Sequence, residues 1–159
     1  MADVDRVVPG TWFLAVTEPS GQVERTIMTF TSDGGMVERA EPTLAAAVGV
    51  WEEAEKEEGK KESEFRFMLY RFLDDLTVTE PTQEEERLEK GEMEEKEVVA
   101  QTFSAVMRVR STNRMIDDDT FQGTATVDFL DAAAVNPIPG SGVFKTTHRG
   151  IRLKLVPEP

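Results

Sequence analysis

The stretch that decides the fold is Phe121-Gln-Gly-Thr-Ala-Thr-Val-Asp-Phe129. Its odd-numbered positions hold Phe, Gly, Ala, Val and Phe, whereas its even-numbered positions hold Gln, Thr, Thr and Asp. Because successive side chains of a β-strand point to opposite faces, this alternation predicts a strand whose odd-numbered side chains lie in a core. The range 103–110 alternates in the same way, with Arg108 and Arg110 on the polar face. We therefore expect the chain to form a β-sheet with one face packed on a core and the other exposed to water.

Strand-like stretches separated by turn residues continue along the rest of the chain. Besides 120–130, we predict strands over Thr11–Thr17, Val23–Thr31, Met36–Glu41, Ala45–Trp51, Glu64–Leu73, Val98–Arg110 and Val143–Leu155. This order predicts an all-β fold, an antiparallel up-and-down barrel of about eight strands, with an open sandwich as the alternative. Closure is favoured because it removes edge strands, which promote aggregation. With 159 residues, 1–159 is interpreted as a single domain.

The net charge of −13 is concentrated in one part of the chain. Residues 51–97 carry a net charge of −10, mainly in two acidic segments at about 52–64 and 80–97. These segments contain few large apolar residues, so we interpret them as solvated loops, with an acidic docking surface or a cation site as the alternative. The acidic balance argues against nucleic acid and against an anionic membrane surface as partners.

The chain contains no cysteine and a single histidine, His148. Thiol catalysis, disulfides and cysteine-ligated metal sites are therefore excluded, and neither a metal nor a cofactor is predicted. Neither a targeting segment nor a membrane-spanning apolar run is visible, so we expect a cytoplasmic protein.

Small residues on the inward face predict an internal cavity. Gly123 and Ala125 both belong to the apolar face of their strand, and small inward residues leave volume unfilled in a barrel. An eight-stranded barrel either fills its interior or holds one small ligand. The residues expected to line the cavity, or alternatively to fill an ordinary core, are Trp51, Phe67, Leu69, Met107 and Phe129.

The strand Glu64–Leu73 is apolar on both faces. One face holds Phe65, Phe67 and Leu69 together with Arg71, and the other holds Met68, Tyr70 and Phe72; the sequence leaves open which face is inside. Because neither face suits water, we expect a homodimer or a packed loop to cover the outer one.

Three residues are candidates for catalysis. Tyr70 could exchange a proton with a bound carbonyl or hydroxyl, or it could be an aromatic residue at an interface. Glu38 is a candidate general base if it points inward, and a solvated charge if it does not. Arg71 could anchor a ligand oxygen at the barrel mouth, or it could extend into solvent from a strand end.

The start of the first strand, Gly10-Thr11-Trp12, resembles the Gly-X-Trp signature of lipocalins and related calycin barrels. In that family an arginine of the last strand packs over the tryptophan, which implies a structural role for Trp12 with Arg149 or Arg152. Gly49-Val50-Trp51 and Gly123–Val127 are similar to small bacterial members, which are cytoplasmic. The second lipocalin signature, Thr-Asp-Tyr, and the large helix after the barrel are missing.

The resemblance implies a protein that binds a small hydrophobic molecule inside the barrel. The alternative is a cofactor-independent cyclase or isomerase of a natural-product pathway, including pericyclic [4+2] chemistry, because some small barrels of this kind catalyse such reactions. A non-catalytic interaction module with acidic loops is a further alternative. Nitrobindin-like relatives hold haem through a histidine near the C-terminus, a placement that His148 shares, although the fuller Gly-X-Trp-X-Gly-X-Gly signature is absent.

Overall fold

The computed structural model describes residues 8–40, 45–54, 63–80 and 99–154. Each strand in these ranges pairs antiparallel with its sequence neighbour, and the first strand pairs with the last, so the sheet closes into a barrel. The predicted all-β, eight-stranded antiparallel barrel is confirmed. The strands are β1 (Gly10–Thr17), β2 (Val23–Phe30), β3 (Gly35–Ala40), β4 (Ala47–Glu53), β5 (Glu64–Glu80), β6 (Val99–Asp117), β7 (Thr120–Leu130) and β8 (Val143–Arg152).

Two strands are much longer than the sequence predicted. β5 has 17 residues and β6 has 19, and they pair from Glu64 opposite Arg114 to Glu80 opposite Val99, with a register shift between Leu73 and Leu76. Val78, which lies beyond this irregularity, packs with Ala105 and Ile138 in a small second core. The added residues of β5 therefore have apolar support, because the burial of Val78 removes apolar surface from water.

The acidic segments fall only in part within the described residues. Glu52 and Glu53 belong to β4, where they pair with Arg66 and Phe65, so the loop predicted from 52 begins too early. The reason is cross-strand pairing, since the carboxylate of Glu52 accepts a hydrogen bond from Arg66 Nη2 at 2.8 Å. Residues 55–62 and 81–98, which hold most of the acidic residues of these two segments, lie outside the described residues.

Aromatic side chains fill one end of the barrel, which we call the aromatic end. Trp12, Phe30, Phe65 and Phe121 are almost completely buried there. The ring centroids of Trp12 and Phe121 lie 4.9 Å apart, and those of Phe65 and Phe121 lie 5.1 Å apart, both in edge-to-face geometry. Edge-to-face pairs are favourable because the positive ring edge meets the negative ring face. This packing forms a solid floor to the interior.

An arginine covers the aromatic end. The guanidinium carbon of Arg152 lies 4.3 Å from the centroid of the Trp12 ring, and its Nη1 donates to the carbonyl of Pro9 at 2.8 Å. A Cβ at Gly10 would lie 2.7 Å from Nη1, so glycine makes room for the guanidinium. Arg149 is exposed on the outer face of β8. Of the two candidates, Arg149 and Arg152, it is Arg152 that packs over Trp12.

Replacing this arginine tests its contribution to stability. We expect Arg152→Gln to lower the free energy of unfolding by about 1–3 kcal/mol, because it removes a cation–π contact and hydrogen bonds to backbone carbonyls. Arg149→Gln, on the same strand, is the matched control and should change it by less than about 0.5 kcal/mol. Urea denaturation followed by tryptophan fluorescence gives both values, and equal losses in the two variants would contradict this role of Arg152.

Candidate functional site

A cavity of about 200 Å³ lies inside the barrel, above the aromatic end. Its lining includes Arg25, which is exposed on β2, so the cavity extends towards the surface at the end of the barrel opposite Trp12. Three of the five residues predicted to line a cavity, Phe67, Leu69 and Met107, do so. The wall is mainly apolar; further lining side chains include Leu14, Met28, Val109, Ala125, Val127 and Phe144.

The other two predicted lining residues lie beside the cavity. The indole of Trp51 packs edge-to-face on Phe30 at 6.0 Å between centroids, and its Nε1 donates to the carbonyl of Thr31 at 2.8 Å. These contacts hold Trp51 at the aromatic end. Phe129 packs on Phe144 with centroids 6.1 Å apart, and Phe144 is the member of the pair that reaches the cavity.

Gly123 does not create empty volume, although the sequence suggested that it would. A Cβ there would lie 2.3 Å from the carbonyl oxygen of Thr112 and 2.4 Å from Asn113 Oδ1. The glycine is therefore needed because β6 approaches closely and the Asn113 side chain occupies the space. Ala125, two residues further along β7, does line the cavity.

A buried ion pair stands in the cavity wall. Arg71 Nη2 donates to Glu38 Oε1, and each side chain is only 5% exposed. Glu38 pairs with Ala47 of β4, and Ala47 pairs with Arg71 of β5, so the two charged residues lie on either side of a small inward residue. Because only a methyl group stands between them, the guanidinium reaches the carboxylate across β4.

Two properties of this pair bear on its chemistry: the pKa of Glu38 and the hydrogen bonding of Arg71 Nε. Burial raises the pKa of Glu38, and the positive charge of Arg71 opposes that rise. Among the described residues, none accepts a hydrogen bond from Arg71 Nε, which is itself buried. Each of the two side chains is only 5% exposed, because period-2 alternation turns both inward. The alternatives of a solvated Glu38 and a solvent-reaching Arg71 are therefore wrong.

Tyr70 does not share this site. Leu69 and Arg71 point inward, so Tyr70 between them points outward, and its hydroxyl lies 3.3 Å from Met68 Sδ. A ligand in the cavity cannot reach it, which corrects the expectation of a role for Tyr70 there. Phe72, on the same outer face, is 74% exposed. The homodimer expected to cover this face stays a prediction.

A second polar group in the interior was missed in the sequence. Asn113 Nδ2 donates to Ser111 Oγ at 2.8 Å and to the carbonyl of Phe65 at 3.3 Å, while Asn113 Oδ1 contacts His148 Nε2. All three side chains are buried, and His148 also lines the cavity. The signal was present, because the alternation of the range 103–110 continues through Arg114 on the polar face and Met115 on the apolar face.

The surroundings of His148 do not fit haem. Its Nε2 is engaged by Asn113, and the ring packs against Phe67 and Phe121 with centroids about 6 Å apart. The cavity of about 200 Å³ is also smaller than the roughly 300–1,000 Å³ of ordinary ligand pockets. In the part of the chain that the structure describes, no group of three or more His, Asp or Glu side chains is arranged to hold a metal ion.

Comparisons with known proteins identify no relative by sequence. No protein-family model and no curated protein matches the chain. A solved structure described as a redesigned beta barrel is similar over 93% of both chains, with 13% identity and a TM-score of 0.38. None of the described residues belongs to a helix that is long and apolar enough to cross a membrane.

Proposed function

We propose that the protein binds a small, mainly apolar organic molecule in the barrel cavity, as the lipocalin-like barrels that its Gly10-Thr11-Trp12 start resembles do. The observation that carries the proposal is an apolar cavity lined in part by Arg71, whose buried Nε has no hydrogen-bond partner among the described residues. A hydrophobic wall with a few fixed polar groups is typical of ligand sites.

The size of the cavity limits the ligand. An engineered apolar cavity of about 150 Å³ in another protein stays dry and binds benzene. A cavity of about 200 Å³ therefore suits a molecule with one ring and a short substituent. Longer molecules would have to extend through the mouth near Val16 and Phe144.

The unpartnered donor selects the kind of ligand. Leaving a buried N–H without an acceptor costs about 1–3 kcal/mol, and a ligand oxygen would recover part of this. A carbonyl compound is therefore preferred over a pure hydrocarbon of the same shape. Glu38 already balances the charge of Arg71, so the ligand needs no charge of its own.

Binding of acetophenone, which has one ring and one carbonyl, tests the proposal. By calorimetry we expect saturable binding with a Kd of about 0.1–1 mM, since a ligand of this size reaches only modest affinity. Ala125→Phe places a ring in the cavity and should weaken binding at least about tenfold. Thr124→Phe, on the outer face of the same strand, is the matched control and should leave the Kd unchanged.

Two results would overturn the proposal: no saturable binding to the wild-type protein, or equal affinities in the two phenylalanine variants. Because overpacking can destabilise a core, thermal melting should accompany the titration. If Ala125→Phe does not fold, Ala125→Leu provides a smaller insertion with the same expected direction.

The ion pair also favours a second candidate function, that of a cofactor-independent isomerase. Glu38 would take a proton from the carbon next to a ligand carbonyl, and the electron pair would move to the carbonyl oxygen, which accepts a hydrogen bond from Arg71 Nε–H. The protonated carboxyl would then return its proton to a different carbon, which completes an isomerisation without loss or gain of atoms. A pericyclic cyclisation would need only the shaped cavity and the Arg71 donor.

Exchange of the acetophenone methyl protons for deuterium in D₂O tests this candidate by NMR. A positioned base typically contributes about 10²–10⁴-fold, so the wild-type protein should accelerate exchange by at least about a hundredfold over buffer. Glu38→Gln should abolish the acceleration, whereas Glu52→Gln, an exposed carboxylate of β4, should retain it. Exchange at the buffer rate with saturated binding would eliminate base catalysis by Glu38.

A further inference from the structure

The hydrogen bonds around Asn113 fix which nitrogen of His148 carries a proton. The carbonyl oxygen of Phe65 accepts hydrogen bonds only, so the Asn113 atom 3.3 Å from it must be the NH₂ nitrogen. The other Asn113 atom, Oδ1, is therefore the acceptor that faces His148 Nε2. Because Oδ1 cannot donate, His148 Nε2 must carry the hydrogen of this bond.

The second ring nitrogen of His148 is consequently a free acceptor. Burial lowers the pKa of His148 to about 4, so the ring is neutral near pH 7 and Nδ1 keeps its lone pair. Within the described ranges, no side chain or backbone group hydrogen-bonds to Nδ1. His148 lines the cavity, so a ligand can supply the missing donor.

The cavity wall thus offers two complementary groups on different strands. Arg71 of β5 provides an N–H donor, and His148 of β8 provides a nitrogen acceptor. The wall also contains the buried threonines Thr26 and Thr146, and apolar side chains such as Leu69 and Ala125 make up most of the rest. A pure hydrocarbon would leave both groups unsatisfied, and a simple ketone would satisfy only the first.

We propose that the cavity selects a neutral hydroxylated carbonyl compound with a one-ring apolar body, its carbonyl oxygen accepting from Arg71 Nε–H and its hydroxyl donating to His148 Nδ1. This inference rests on the proposed binding function and names its ligand class. Neutral molecules are selected because an anion would add a second negative charge beside Glu38, and desolvating an ionised group is costly.

Titration with matched probes tests the inference. The probes are 3- and 4-hydroxyacetophenone, the corresponding methylacetophenones, which have nearly the same size but no donor, and ethylbenzene, which lacks the carbonyl. We expect the better hydroxy isomer to bind about three- to tenfold more tightly than its methyl counterpart, as one added hydrogen bond predicts. Acetophenone should exceed ethylbenzene by a similar factor.

Variants assign each preference to its residue. His148→Phe should abolish the preference for hydroxy over methyl probes and leave the preference for acetophenone over ethylbenzene. Because Arg71→Met alone would leave a buried carboxylate unpaired, the double variant Glu38→Gln/Arg71→Met is used. It should lose the preference for acetophenone over ethylbenzene and keep the preference for hydroxy over methyl probes. The tautomer of His148 can be measured on the wild-type protein by NMR. The ¹⁵N chemical shifts of its ring should show a protonated Nε2 and an unprotonated Nδ1.

The outcomes separate this inference from the function on which it rests. If hydroxy, methyl and unsubstituted probes all bind equally, the inference is overturned while cavity binding stands. A protonated Nδ1 in the ¹⁵N spectrum also overturns it. If no probe binds saturably, the proposed binding function itself fails and the inference falls with it.

Discussion

Pairing of β1 with β8, from Trp12 opposite Arg152 to Thr17 opposite Thr147, joins the first strand to the last and gives the sheet an inside. Closure satisfies the backbone groups that two edge strands would otherwise expose. The same pairing brings Arg152 to the aromatic end and sets His148 opposite Val16 higher in the barrel. Both the floor of the interior and one wall of the cavity therefore depend on it.

The two ends of the barrel interior differ in the size of the side chains that face inward. At the aromatic end, large rings meet edge to face, and the space is full. Towards the other end, Ala47 and Ala125 face inward, and two charged residues meet across Ala47. A buried ion pair seldom stabilises a fold better than apolar residues of equal volume would, so stability alone does not account for Glu38 and Arg71 in this interior.

The sequence predicted the barrel well because period-2 alternation reports directly on strand faces. Phe121–Phe129 and the range 103–110 established the sheet, and the alternation of Glu64–Leu73 restricted Arg71 to the face of Phe67 and Leu69. The alternation could not reveal which face was inside when both were apolar, so it left open whether Tyr70 or Arg71 faces the interior.

Contacts across strands were beyond the sequence. Gly123 looks like an unfilled position until the close approach of Thr112 and Asn113 is known. The predicted strand ended at Arg110, whereas β6 continues to Asp117, so the hydrogen bonds of Ser111 and Asn113 that orient His148 were missed. The ion pair depended on the register of three strands, which no single strand's pattern contains.

The central claim is that the barrel holds an accessible apolar cavity next to Arg71 and His148. A crystal structure determined under xenon pressure tests it most directly, because xenon enters dry apolar cavities without needing polar contacts. The account predicts xenon inside the barrel, in contact with Leu14, Met28 and Leu69. An interior without xenon, with side chains filling the space between Leu69 and Ala125, would contradict it.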